Sequence, residues 1–332
     1  MPTATDRRAF FSTLGLGILA APLAAIAQPP GKPARVGWVA IGTGGAGAAT
    51  FLDALREGLR EKGWVEGRNL TLEARWVDQA TPDRVAQLTA ELVRSRVDIL
   101  VAQGPAVWGV KAGAGSVPVV FGFSGDPVEA GFVSSLARPG GNLTGITFLS
   151  LELAGKRLEL LREVLPGVSR VAVLANPQHA GEQAELRASQ AAARRLGLTL
   201  QYVPVRAVRD FDAAFEAMTR ERAEAIDAFP DVLIMLQRKA IAEFAARRRI
   251  PAISGWADFA LDGNLMTYGP ILRESWRHVA TYVDRILRGA RPADLPVEQS
   301  SKFELVVNVK TAQTLGLTLP QSIVVRADRV IQ

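Results

Sequence analysis

The chain has 332 residues, of which 48% are hydrophobic and 22% charged, and its formal net charge is +6. That apolar content is enough for more than one buried core and excludes gross disorder. There is no cysteine, which excludes disulfides, thiolate nucleophiles and zinc–thiolate centres.

The first thirty residues read as an address. Arg7-Arg8 precede an apolar run over 9–26, and Ala25-Ile26-Ala27 forms a small-residue cleavage site. Charged start, apolar middle and small-residue end define a signal peptide at 1–27. Asp6-Arg7-Arg8-Ala9-Phe10-Phe11 also resembles a twin-arginine export signal. Gly15, Gly17 and Pro22 interrupt the run, which argues against a permanent span. No cysteine follows the cleavage site to carry a lipid. The expectation is an exported, soluble protein of the periplasm.

The rest alternates. An apolar strand at 34–41 runs into glycines. A helix at 50–62, with Phe51, Leu52, Leu55 and Leu59 at helical spacing, stops at Gly63. Strand 70–77, helix 82–96 and strands 97–102 and 117–123 follow. The pattern then repeats, with helix 155–164, strand 170–175, helix 181–196 closed by Gly197, strand 198–205, helix 211–221, strand 223–229, helix 233–244 and strand 250–254. Strand–helix alternation means parallel sheets covered on both faces. Two successive sets give an α/β chain of two doubly wound lobes, with a turn-rich boundary near Arg138-Pro139-Gly140-Gly141-Asn142. The tail holds a strand at 265–268, a helix at 273–287, a loop at 292–296, a strand at 303–308 and a helix at 311–315. The expected division is 28–147 with 262–300 as the first lobe and 148–261 as the second. Residues 301–332 form a hinge-crossing strand and C-terminal helix, whose pattern fits either lobe.

Candidate site residues lie where strands end, because ligands of open parallel sheets bind at the strands' carboxyl ends. Gly42-Thr43-Gly44-Gly45-Ala46-Gly47 matches the G-x-G-x-x-G dinucleotide pattern. The ribose-binding carboxylate is missing at the expected distance, and Asp78 comes much later. The alternative is a flexible cleft lip beginning at Gly42. Gln103-Gly104-Pro105 and Ser124-Gly125-Asp126-Pro127 each follow a strand. Asp126 either faces a ligand amine or caps the next helix, with Pro127 in its first turn. Asn176-Pro177 and Pro230-Asp231 hold the matching places in the second half, where both pairs are also ordinary turn formers. Trp256 and Tyr268 either stack on a ligand or pack.

No catalytic, metal or cofactor set emerges. His179 opens a helix and His278 lies within one, neither beside a recognisable serine–acid set. An exported hydrolase of unknown substrate is the alternative to a binding protein. Nucleic acid is not an expected partner. The densest basic cluster, Arg247-Arg248-Arg249, closes an Ala-rich helix, where positive charge suits the helix end, and acidic residues are interleaved elsewhere.

One resemblance covers nearly all of the chain beyond the leader. It is carried by Phe123-Ser124-Gly125-Asp126-Pro127-Val128, by Ser135-Leu136-Ala137-Arg138-Pro139-Gly140-Gly141-Asn142-Leu143-Thr144-Gly145, by Leu174-Ala175-Asn176-Pro177, by Gly255-Trp256 and by Met266-Thr267-Tyr268-Gly269-Pro270. Ala293-Asp294-Leu295-Pro296-Val297-Glu298 and Phe303-Glu304-Leu305-Val306-Val307-Asn308 complete the series. In this order they resemble the ABC transporter substrate-binding proteins, in the group that includes tryptophan- and phenylalanine-binding receptors. The resemblance implies a type I periplasmic binding protein fold, with two lobes joined by a three-segment hinge. It implies a monomer that takes a small organic molecule and delivers it to an inner-membrane ABC permease. It also implies ligand contacts near Gly104, Ser124, Asp126, Asn176, Asp231, Trp256 and Tyr268. The sequence departs from the family at Gly104, where many members carry a hydroxyl that binds a carboxylate. Asp227, within an otherwise apolar strand, has no explanation at this level.

Overall fold

The computed structural model describes residues 32–42, 46–77 and 81–332. The proposed leader, the glycine-rich stretch past Gly42 and Asp78 therefore lie wholly or partly outside the described residues.

The first lobe starts with β1 (Ala34–Ile41), α1 (Ala46–Glu61), β2 (Leu70–Val77), α2 (Pro82–Arg94), β3 (Ile99–Gln103), α3 (Ala106–Gly113), β4 (Val119–Phe123) and β5 (Leu143–Thr147). Local chemistry sets these bounds. At the head of α2, the Thr81 hydroxyl accepts from the Arg84 amide and Pro82 occupies the first turn. The helix then buries Val85, Leu88 and Leu92, a stripe at helical spacing. The second lobe continues with α4 (Leu151–Val164), β6 (Arg170–Ala175), α5 (Glu182–Leu196), β7 (Thr199–Pro204), α6 (Phe211–Arg220), β8 (Ala225–Ala228), α7 (Val232–Leu236), α8 (Arg238–Arg248), β9 (Ala252–Ser254), α9 (Ala257–Leu261) and β10 (Met266–Pro270). The chain returns to the first lobe for α10 (Leu272–Leu287) and β11 (Glu298–Gln299). It ends in the second with β12 (Phe303–Asn308), α11 (Val309–Leu315), α12 (Gln321–Arg326) and β13 (Arg329–Ile331).

The first sheet has six strands in the order β2-β1-β3-β4-β5-β11, and the second has seven, β7-β6-β8-β9-β10-β12-β13. Every pairing is parallel except β10 with β12. Both lobes have the doubly wound order, in which strand succession reverses beside the first strand. The reversal falls between β1 and β3 in one lobe and between β6 and β8 in the other. The connection changes sheet at 148–150, at 271 and at 300–302, a three-segment hinge.

The lobe division differs from expectation in the tail. Residues 262–270 are in the second lobe, because β10 pairs with β9 and with β12, and Met266 packs with Leu305 and Val307 in the second core. Only α10 and β11 recross. The elements beyond 302 complete the second lobe, with Ile323 fully buried against it. The Arg138–Asn142 turn does not end the first lobe either. It leads into β5, which sequence periodicity does not reveal. Gly145 interrupts the apolar run of β5 and is required there. A Cβ at this position would fall 2.1 Å from the Phe121 carbonyl oxygen of β4. Helix 233–244 is in fact two helices, broken at Gln237.

Gly145→Ala should therefore destabilise the first lobe by about 1–3 kcal/mol through overpacking, read as a lower urea midpoint with an unchanged slope.

Candidate functional site

The strands' carboxyl ends of the two lobes face one another, and a cavity of about 300 Å³ lies between them. From the first lobe it is lined by Gln103 and Gly104 after β3, Ser124 after β4, Phe148 after β5, and Phe51, Leu272 and Trp276. From the second it is lined by Val232, Met235, Leu236, Arg238, Trp256 and Asp258. The volume and the mainly apolar wall with a few polar groups are those of a small-molecule site.

Trp276 sits at the centre of the first lobe's wall. Its ring meets Trp38 edge-on at 4.9 Å, stacks with Phe51 at 6.0 Å and meets Phe148 edge-on at 5.9 Å. Gly122 makes room for it, since a Cβ there would fall 2.5 Å from the indole. The indole is braced by three rings, Trp38 from behind and Phe51 and Phe148 within the wall, which limits its rearrangement when a ligand arrives. Gly104 has a left-handed backbone, φ +53°, and a Cβ there would lie 4.0 Å from Val232 Cγ2 of the other lobe. The left-handed conformation accounts for glycine at this position.

Of the sequence-derived candidates, Gln103, Gly104, Ser124 and Trp256 line this cavity. Asn176 and Asp231 meet each other at the second lobe's reversal point, Nδ2 donating to Oδ1 at 3.3 Å. Asp231 also caps α7, accepting from the Leu233 amide at 2.8 Å and the Ile234 amide at 3.4 Å. Asp126 caps, but what it caps is a turn, since no helix lies between β4 and β5: its Oδ1 accepts from the amides of Val128 at 2.8 Å and Glu129 at 3.2 Å. Gly42 ends β1 with its amide bonded to the Val77 carbonyl. Tyr268 packs on the second core, beside residues of β12 and α11. Neither Asp126, Gly42 nor Tyr268 is among the cavity's lining residues. The cavity residues missed from the sequence are mostly apolar or aromatic, such as Phe51, Phe148, Met235 and Trp276. Their pattern is that of core positions, and only topology shows that they face a cleft.

Two polar constellations adjoin the cavity. Ser124 Oγ lies 2.9 Å from His179 Nε2, a pairing across the lobes that sequence reading did not find. Burial pulls the His179 pKa down, while the carboxylates of Asp231, Glu182 and Glu129 act in the opposite direction. Among the described residues this is the only side-chain hydrogen bond of His179. Among the described residues no acid hydrogen-bonds the ring as a catalytic triad requires. His278, in contrast, is on the surface, 2.8 Å from Glu298.

The second constellation accounts for Asp227. Its Oδ1 accepts from Arg157 Nε at 2.9 Å, and Glu185 Oε1 accepts from Arg157 Nη2 at 2.6 Å. All three are buried, and the guanidinium also lies 5.8 Å over the Phe229 ring. A small space of about 10 Å³, the size of one water, separates this cluster from Ser124, Phe148 and Trp256. Burial pushes the Glu185 carboxyl up to about 7 against the pull of Arg157, and it raises Asp227 as well.

Three comparisons agree on what this architecture is. A family model described as ABC transporter substrate binding protein matches residues 43–331. The chain belongs to that family, and its fold is that of the type I periplasmic binding proteins. It is similar to a tyrosine-binding protein of Clostridioides difficile (strain R20291), 21% identical over 272 residues, covering 80% of this chain and 77% of the relative. The crystal structure of a Vibrio cholerae conserved domain protein superposes with a TM-score of 0.81 at 26% identity, covering 90% of this chain and all of that one. A Streptococcus pneumoniae ABC domain in complex with L-Trp superposes with a TM-score of 0.82 at 24% identity, with the same coverage.

The buried carboxyl of Glu185 has a consequence for stability. Its folded pKa is raised, so the folded state binds more protons than the unfolded one between about 4.5 and 7. The stabilisation is present at low pH and is lost as pH rises through that window. Glu185→Gln, which still accepts from Arg157, should flatten stability between pH 4.5 and 7, as checked by melting temperature across the range. A variant with the wild-type slope would show that another group sets it.

Proposed function

We propose that this chain is the periplasmic receptor of an ABC importer, a monomer that traps a small organic solute between its lobes and presents it to the membrane permease. The observation that carries this reading is the cavity of about 300 Å³ at the facing strand ends, to which both lobes contribute side chains. Such a site binds by enclosure, and a change in lobe separation reports occupancy. The apolar and aromatic lining favours a solute with an aromatic or branched aliphatic body, as with the relatives named for tyrosine and L-Trp. Gln103 supplies a polar contact, since its Oε1 is buried without a hydrogen-bond partner among the described residues. Export fits the leader read at 1–27, and no helix among the described residues is long and apolar enough to cross a membrane.

A thermal-shift screen of amino acids, aromatic acids and amines tests the receptor role, because a ligand that binds only the folded state raises the melting temperature in proportion to ln(1 + [L]/Kd). Saturable stabilisation without turnover is expected. Hydrolysis of esters or amides of these compounds, offered to the purified chain in a parallel assay, would overturn the reading in favour of an exported hydrolase. With a ligand in hand, Trp256→Ala should weaken affinity by about thirtyfold, the equivalent of ~2 kcal/mol, and because the indole is buried it should lower the ligand-free melting temperature as well. Intact-mass analysis of the exported protein should show residues 1–27 absent.

A further inference from the structure

Ser124 and His179 belong to different lobes. Ser124 follows β4 of the first, and His179 lies in the turn between β6 and α5 of the second. Their contact at 2.9 Å is reinforced next door, where the Asp126 amide donates to the Ala180 carbonyl at 3.0 Å. Gly125 permits this approach, because a Cβ there would fall 2.6 Å from the same Ala180 oxygen. Both hydrogen bonds lie outside the three hinge segments, so they exist only while the lobes are together. Neither requires a ligand.

We propose that these contacts form a latch that holds the cleft closed, and that a proton taken up by His179 releases it. In the closed arrangement His179 is packed beside the Phe123 ring, with centroids 6.2 Å apart, and Ser124 is its side-chain hydrogen-bond partner. The charged groups facing it are Asp231 at the head of α7, Glu182 at the start of α5 and Glu129 in the first lobe's turn. None of them forms an ion pair with the ring among those the described residues make. An imidazolium here is therefore buried without a direct counter-ion, and desolvation outweighs the three carboxylates. Opening returns the ring to water and to the ordinary histidine range.

The sign follows. The closed state has the depressed pKa and binds fewer protons than the open one. Closure is then favoured above about pH 6.5 and weakens as pH falls below it, by up to about tenfold per pH unit for one proton. The latch rests on the cleft reading of the fold, and its test needs no ligand, so a failed solute screen leaves it standing or falling by itself.

The absence of native cysteine allows clean labelling. Asp83 opens α2 beyond β2, and Arg209 lies beyond β7; both are exposed near the strand carboxyl ends of opposite lobes. Asp83→Cys with Arg209→Cys carries a spin-label or dye pair, and the distance distribution of the ligand-free exported chain is measured at pH 8, 6.5 and 5. The short-distance population should dominate at pH 8 and fall severalfold by pH 5. His179→Gln should keep that population at pH 5, since glutamine still bonds Ser124 but takes no proton. Ser124→Ala should lower it at pH 8. A distribution that does not change with pH, or one that changes equally in His179→Gln, overturns the proposal. Should His179→Gln fail to fold, an unaltered pH 8 population in Ser124→Ala overturns it as well.

Discussion

The second lobe's half of the cleft depends on one buried guanidinium. Arg157 sits on α4, the helix that begins just past the first hinge segment. Its Nε holds β8 through Asp227, and its Nη2 holds α5 through Glu185. The loops that continue these elements are those that face the first lobe. The end of β8 runs into Phe229, Pro230 and Asp231, and the turn before α5 carries His179 and Ala180. A hinge helix, a central strand and a cleft-edge helix are thus tied at a single point. Removing one member of such a cluster costs about 3–5 kcal/mol, because it leaves a buried charge without its partner. Replacing a whole buried cluster with well-packed apolar side chains is often neutral. The cluster is therefore weak evidence of net stability, while its contacts tie the three elements together.

The first lobe achieves the same end without charge. Trp38, Phe51, Phe148 and Trp276 come from four separate elements or loops and pack ring against ring. Gly122 and Gly145 let the neighbouring backbone and indole approach closely enough for this. The cavity thus has one wall fixed by aromatic packing and another fixed by an ionic tie. Its own polar groups are few, and several are already committed. Arg238 pairs with Asp262, and Ser124 faces His179. Shape and apolar contact are left as the main sources of selectivity.

The architecture was legible in the sequence because strand and helix periods alternate cleanly. The elements 70–77, 170–175 and 303–308 were bounded as the structure has them. The family was legible because motif order, unlike any single motif, is hard to meet by chance. Partners distant in sequence were not. Asp227 and Arg157 are 70 residues apart and Ser124 and His179 are 55 apart, so nothing local signals either pair. The same blindness explains the misplacement of residues 262–270. A strand's period says that it is buried, and only its neighbours say in which sheet. Of the two roles open to Tyr268 in the sequence, stacking on a ligand or packing, only its sheet neighbours decide: it shares a face with Met266 and packs on the second core.

Ser124 shows why a residue at a strand's carboxyl end need not be a ligand contact in the simple sense. It lines the cavity, yet its hydroxyl spans to the opposite lobe. Direct lobe–lobe bonds change the energetics of capture. A ligand that binds only the closed form has an apparent Kd equal to its intrinsic Kd divided by the fraction of protein already closed. If every closing contact came from the ligand, that fraction would be small and affinity would carry the full cost of bringing the lobes together. Contacts such as Ser124–His179 and Asp126–Ala180 shift part of that cost onto the protein. Each tenfold gain in the closed fraction then tightens the apparent Kd by about tenfold, with no new ligand contact. The advantage has a limit, because a cleft that is fully closed before the ligand arrives admits nothing. Two hydrogen bonds, each worth about 0.5–1.5 kcal/mol net, bias such an equilibrium without locking it.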